Sequence, residues 1–172
     1  MAQIKDEMLK FLSQEEIAKL ISKLAAQIES DYEGRELIFI CPLRGSVHMT
    51  ADLMRKINLP QQVDFVYVQA TEKGGAIRMT KDISMNITDK DVIVVEEIID
   101  TGRTLSFLKN RLLSSNPNSL KIVTLLDKPA RRELPIRPDY IGKTIDDRYV
   151  VGYGMDSEEK GRNYSDIYVL KN

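Results

Sequence analysis

Two hydrophobic periods alternate along this chain. In "SQEEIAKLISKLAAQIESDYEG", Ile17, Leu20, Ile21, Leu24, Ala25 and Ile28 recur at helical spacing. Ser13 stands three residues before Glu16, a capping-box start, and Gly34 is a plausible stop. "ELIFICPL" follows as a short continuous apolar run, the pattern of a strand buried on both faces. "RGS" turns the chain into "VHMTADLMRKI", which predicts a helix. "VDFVYVQA" predicts the next strand, "TEKGG" a polar loop, and "AIRMT" another strand. "DVIVVEE" is again a buried strand, and "TLSFLKNRLLSS" is a helix with Leu105, Leu108 and Leu112 on one face. "LKIVTLLD" is a further strand, and "DYIGKTI", "RYVVGYG" and "DIYVL" predict short ones.

Strands and helices alternating through the middle of the chain predict a mainly parallel α/β sheet with helices on both faces, joined by right-handed crossovers. Ligands of such sheets bind just beyond the carboxyl ends of the strands. Three strand ends carry polar, turn-prone segments: "PLRGS", "EEIIDTGRT" and "DKPARR". They are expected to converge on one rim.

Composition narrows the chemistry. With 172 residues, 42% hydrophobic and 30% charged, one globular domain over 1–172 is expected. The net charge of −1 gives no general attraction to nucleic acid or an anionic membrane, so an anion site must be local. Cys41 is the only cysteine, which excludes an internal disulfide and fits a cytoplasmic location. It ends an apolar run and reads as a buried structural thiol. His48 is the only histidine and has no nucleophile elbow nearby, so a packed or solvated helix histidine is the expectation. The first seven residues include acids and do not resemble a signal peptide, and no apolar run approaches the about 18 residues of a membrane span.

The stretch "VIVVEEIIDTGRTL", residues 92–105, concentrates the remaining chemistry. "DTGRT" joins a buried strand to a helix, where unsatisfied backbone amides favour an anion. Gly102 permits close approach, and Thr101 and Thr104 add hydroxyls. The GxxxxGK[ST] of a Walker loop is absent. Glu96, Glu97 and Asp100 stand above this loop, where they would repel a phosphate. They suit ribose hydroxyls, a magnesium ion or a proton to be removed.

This stretch resembles the phosphoribosyl-pyrophosphate signature of type I phosphoribosyltransferases, most closely that of the hypoxanthine-guanine phosphoribosyltransferase family. "PLRGS", "TKDI", "LLDKPARR" and "RYVVGYGMDSEEKGR" extend the resemblance from about residue 36 to the C-terminus. It implies the type I fold: a core over about 35–145 and a small hood formed by the N- and C-terminal segments. The implied reaction is magnesium-dependent transfer of the phosphoribosyl group to N9 of hypoxanthine or guanine, with xanthine open, giving IMP or GMP and pyrophosphate. By position, Asp100, Thr101, Gly102, Arg103 and Thr104 would cradle the 5′-phosphate, and Asp100 would act as general base at purine N7. Glu96 and Glu97 would face the ribose, and Asp156 and Glu96 would meet magnesium. Lys128 would donate to the exocyclic oxygen, Tyr149 would stack on the purine, and Val150 would read its edge through its backbone, with Asp156 beside them. Leu43, Arg44, Gly45 and Arg162 would hold pyrophosphate. The family also implies a homodimer or homotetramer.

Three positions depart from the family pattern. Glu97 replaces the usual aspartate, and Arg44 replaces the usual lysine. The lid segment, about Thr71 to Gly75, is short and lacks a Ser-Tyr pair. Taken singly, Lys128 and Arg162 also fit surface cations, Tyr149 a core strand, and Asp156 an Asx turn. The alternative functions are a nucleotide- or phosphoribosyl-pyrophosphate-binding regulator of the same fold and, less well matched, an acid-metal phosphohydrolase.

Overall fold

The computed structural model describes residues 8–70 and 76–170. The expected lid at Thr71 to Gly75 lies outside the described residues. Strand β1 (Met8–Leu12) leads into helix α1 (Gln14–Asp31). The capping box forms: the Glu16 amide donates to Ser13 Oγ at 3.2 Å, and the Ser13 amide donates to Glu16 Oε2 at 2.8 Å. β2 (Leu37–Pro42) and α2 (Val47–Met54) follow, then β3 (Gln61–Ala70) and β4 (Ile77–Lys81). β5 (Asp91–Ile99) feeds α3 (Arg103–Leu113), and β6 (Ser119–Asp127) ends in a 3-10 turn, Pro129–Arg131. β7 (Tyr140–Thr144), β8 (Val150–Val151) and β9 (Ile167–Leu170) complete the described elements.

Six strands form one sheet in the order β4-β3-β2-β5-β6-β7. All neighbours are parallel except β4, which returns antiparallel beside β3. Alternation along the strands divides the core into two layers. Leu37, Phe39, Ile93, Val95, Val123 and Leu125 pack with Ile21, Leu24, Ile28, Met49 and Leu53 of α1 and α2. Ile38, Ile40, Val92, Val94 and Ile122 face the other way, onto Leu105, Leu108 and Leu112 of α3. Each such side chain contributes about 1.5–3 kcal/mol when fully buried. That is why β2 and the first half of β5 are continuous apolar runs.

The connection from β2 runs to β3 on one side, and that from β5 to β6 on the other. The strand order therefore reverses between the parallel neighbours β2 and β5, the point where α/β sheets open a crevice.

A second sheet, β1-β9-β8, joins the terminal segments expected to form the hood. β1 is absent from the sequence expectations. Only Met8 and Leu12 of "MLKFL" are buried, so it carries no period-two signal and is a strand through pairing with β9. Asp166, just before β9, ties this sheet to α1. It accepts the Gln14 amide at 2.8 Å and pairs with Lys10 at 2.7 Å. Two boundaries also shift. α2 stops at Met54 rather than continuing through Ile57, and β5 continues to Ile99. The acidic pair therefore lies within the strand, where Glu96 is opposite Thr124 and Ile98 opposite Leu126 of β6.

Candidate active site

The three polar strand ends meet where the strand order reverses. A cavity of about 260 Å³ is bounded by Leu43, Arg44 and Gly45 after β2, by Glu96 to Leu105 at the end of β5, and by Arg162 from the hood. Beside it, a cavity of about 170 Å³ is lined by Lys128, Tyr149, Val150, Met155 and Asp156. Glu97, Ile98 and Asp100 border both, so the two cavities form one trough. Every residue singled out from the sequence for a site role borders it.

At the phosphate-loop end, Gly102 adopts φ of 80°, a left-handed conformation that glycine tolerates. A Cβ there would come within 2.5 Å of Ile136 Cγ2, so the position demands glycine on space as well. Gly102 is the N-cap of α3 and supplies no capping side chain, leaving the first-turn amides to meet an anion. The Arg103 amide lies 3.4 Å from Thr101 Oγ1.

Opposite, the Leu43–Arg44 peptide is cis. Gly45 is wedged between two layers. A Cβ on it would fall 1.7 Å from Glu97 Oε1, while a Cβ on Gly154 would fall 1.9 Å from the Gly45 carbonyl oxygen. β5, the β2 loop and the hood are thus stacked in direct contact. Arg44 Nη1 reaches Glu159 at 2.6 Å, with its guanidinium 5.7 Å from the centre of the Tyr67 ring. Arg162 bonds Asp156 at 2.9 Å, the Gly154 carbonyl at 2.9 Å and Glu159 at 3.2 Å.

Burial pushes the Glu96 carboxyl well above the ordinary carboxylate range, and the charge of Glu97 adds to this. Burial raises Glu97 to about 7, with Asp156 adding and Arg162 opposing. Near neutrality this end of the trough thus holds carboxyls able to donate as well as accept hydrogen bonds.

In the second cavity, Lys128 is only 6% exposed, an unusual state for a lysine, and its nearest carboxylate is Asp147 at 3.9 Å. Its backbone amide donates to the Ile99 carbonyl at 3.0 Å, which fixes the "KP" turn to the end of β5. Tyr149 is 54% exposed, so it is not a core residue. Its hydroxyl donates to the Asp156 carbonyl at 3.0 Å, holding the ring at the cavity edge. Asp156 does serve a turn, accepting the Glu159 amide at 2.9 Å, while also bonding Arg162.

Three participants were not singled out from the sequence. Arg131 bonds Asp100 Oδ1 at 3.1 Å, Asp147 approaches Lys128, and Glu159 bridges Arg44 and Arg162. The double arginine of "KPARR" and the double glutamate of "SEEK" were the available signals. Which member turns toward the trough depends on turn geometry.

Among the described residues, no three His, Cys, Asp or Glu side chains cluster as a protein-only metal cage. The acids of the trough are hard oxygen donors. A magnesium-like ion commonly takes one or two carboxylates and completes its shell with water and substrate phosphates. Glu96 and Asp156 fit an ion carried by a diphosphate in this way. Cys41 and His48 stand apart from the trough. Cys41 is buried with Sγ 3.2 Å from Ser46 Oγ, and burial raises its thiol. His48 packs near Tyr153 at 6.1 Å between ring centres.

Comparison with known proteins agrees with this geometry. Residues 9–158 match the family model described as "Phosphoribosyl transferase domain". A hypoxanthine-guanine phosphoribosyltransferase of Staphylococcus aureus is 41% identical over 164 residues, spanning 93% of this chain and 92% of the relative. The crystal structure of a hypoxanthine-guanine phosphoribosyltransferase from Bacillus anthracis superposes with a TM-score of 0.92 at 43% identity, covering 96% of this chain and 99% of that one. A hypoxanthine phosphoribosyltransferase structure from Staphylococcus aureus gives a TM-score of 0.94 at 38% identity, covering 98% and 94%. The chain belongs to the phosphoribosyltransferase family and, within it, to the group of the hypoxanthine-guanine phosphoribosyltransferases.

Proposed function

We propose that this chain is a purine-salvage enzyme that transfers the phosphoribosyl group of phosphoribosyl pyrophosphate to hypoxanthine or guanine. The observation that carries this reading is the position of Asp100. It stands between the phosphate-loop cavity and the cavity of Lys128 and Tyr149, bordering both.

In this reading, the amides from Thr101 to Thr104 hold the 5′-phosphate. Glu96 and Glu97 meet the ribose hydroxyls, and their raised proton affinity lets them donate to hydroxyl oxygens as well as accept from them. Arg44, Arg162 and the backbone of Leu43 and Gly45 receive the pyrophosphate. Lys128 donates to the oxygen on purine C6, which adenine lacks. Tyr149 stacks on the ring, and the backbone of Val150 reads its edge. Asp100 takes the N7 proton as N9 attacks the anomeric carbon and the bond to pyrophosphate breaks. Positive charge develops on the sugar ring and negative charge on the departing pyrophosphate in that step; carboxyl oxygens near the ribose match the first, and the fixed arginines match the second. Glu96 and Asp156 would hold magnesium, which neutralises diphosphate charge when bound.

The same reading takes residues 1–172 as one phosphoribosyltransferase domain, acting in the cytoplasm as a homodimer or homotetramer. No helix among the described residues is long and apolar enough to cross a membrane.

The test is ultraviolet assay of the protein with magnesium, phosphoribosyl pyrophosphate and each of hypoxanthine, guanine, xanthine and adenine. Turnover of 6-oxopurines without adenine is expected and gives the base preference. Tight binding of GMP or phosphoribosyl pyrophosphate with no turnover of any base would point instead to a regulator of the same fold.

A further inference from the structure

Glu159 sits at the tip of a two-residue hairpin turn. Ser157 and Lys160 pair across it, with the Ser157 amide donating to the Lys160 carbonyl at 2.9 Å and the Lys160 amide returning at 3.0 Å. Both turn residues adopt positive φ, 51° at Glu158 and 62° at Glu159. Turns of this kind favour Asn and Gly, because a side chain with a Cβ crowds the backbone there. Glutamate is thus a poor choice for the backbone at residue 159. Its side chain has a use: one carboxylate oxygen, Oε2, lies 2.6 Å from Arg44 Nη1 and 3.2 Å from Arg162 Nη2.

These two arginines border the trough from separate segments, one after β2 and one in the hood. They are the cations to which the proposed function assigns the pyrophosphate. Holding two guanidinium groups at one carboxylate oxygen is what a phosphate oxygen would do there. The alternative anions are limited. Asp156 shares Arg162 Nη2 with Glu159, at 2.9 Å, but does not reach Arg44, and the guanidinium of Arg44 has the Tyr67 ring as its other close neighbour.

We propose that Glu159 is an internal stand-in for the leaving group. Before substrate binds, it gathers Arg44 and Arg162, and it must give them up when the diphosphate arrives. It is a positioning residue that acts through the two arginines. By competing for them it weakens binding of both phosphoribosyl pyrophosphate and product pyrophosphate, and it takes the arginines back as pyrophosphate leaves. This inference rests on the function proposed above.

Glu159→Gln keeps the shape and removes the charge. Glu159→Gly also removes the charge and relieves the backbone at a left-handed position, so it should fold at least as well. In both variants, KM for phosphoribosyl pyrophosphate and the inhibition constant of pyrophosphate are expected to fall about three- to fivefold, the range an exposed ion pair allows. KM for hypoxanthine should stay in place. Calorimetric titration with magnesium pyrophosphate should show the same tightening without any turnover, and the difference should shrink at high salt. Unchanged or weaker diphosphate binding in both variants would overturn the stand-in, the weaker case meaning that Glu159 only props the arginines. Absence of turnover by the unsubstituted protein would instead count against the proposed function, and the calorimetric comparison would still decide the role of Glu159.

Discussion

Single side chains decide the chemistry because several of them face conflicting demands. Asp100 accepts Arg131 at 3.1 Å while bordering the proposed purine cavity, so its carboxylate is oriented before any base arrives. Asp100→Asn keeps the size and hydrogen-bonding reach but cannot take a proton. Turnover is expected to fall about 10²–10⁴-fold, while GMP binding, followed by calorimetry, changes little. Retention of full turnover would remove Asp100 as the base. How much was legible here depended on whether a residue's partners lie near it in sequence. The roles proposed for Glu96, Glu97, Asp100 and Gly102 rest on residues within one short stretch. Glu159 could not be connected to Arg44 in that way, because the two are 115 residues apart and meet only through the folded trough.

Among the elements, those with a dense apolar pattern were readable and those defined by pairing were not. β2, β5, β6 and α3 announce themselves because the core covers both faces of the strands and one stripe of the helix. β1, absent from the expectations, is a strand only because β9 pairs with it, and β8, expected within "RYVVGYG", narrows to the two residues that pair with β9. The extension of β5 past its acidic pair to Ile99 was hidden for a related reason. The apolar run ends at Val95, yet β6 keeps supplying backbone partners up to Asp127. α1 offers a clean test of local sequence logic. Ser13 caps it through its side chain, and Ser13→Ala should cost about 1 kcal/mol, read as a lower urea midpoint with an unchanged slope. A change near zero would mean that Asp166, bonded to the Gln14 amide, suffices to hold this helix start.

For the molecule as a whole, buried and half-buried acids of opposite tendency set the dependence of stability on pH. Burial alone would raise Asp64, but the amides of Met85, Ser84 and Phe65, with Lys81, outweigh it and hold the carboxyl below its ordinary value. Burial likewise opposes Ser119, Asn118 and Arg35 at Asp91, and the partners win. Stability from these two groups is present above the ordinary aspartate range and is lost as pH falls through their lowered values. Glu97 behaves in the reverse sense. Its value of about 7 means that its folded site favours the proton, so stability is full in acid and declines as pH rises through neutrality, with Glu96 acting in the same direction. Denaturation midpoints measured across pH are therefore expected to peak near about pH 5 and to fall on both sides. Glu97→Gln should flatten the alkaline side, raising stability at pH 8 by about 1–3 kcal/mol. A peak at pH 8 in the unsubstituted protein would contradict the raised carboxyls.

The pairing of β1 with β9 has a consequence for the order of events on the ribosome. Met8 emerges early, but its partner Leu170 is among the last residues described. Throughout synthesis β1 has no neighbouring strand, and Arg162, Asp156 and Glu159 have no sheet to hold the segment that carries them. A chain stalled before β9 could assemble the six-stranded sheet and its phosphate loop while its hood stayed open. Such a nascent chain should retain a nucleotide monophosphate poorly, and competence for the whole substrate should appear abruptly once β9 clears the exit tunnel.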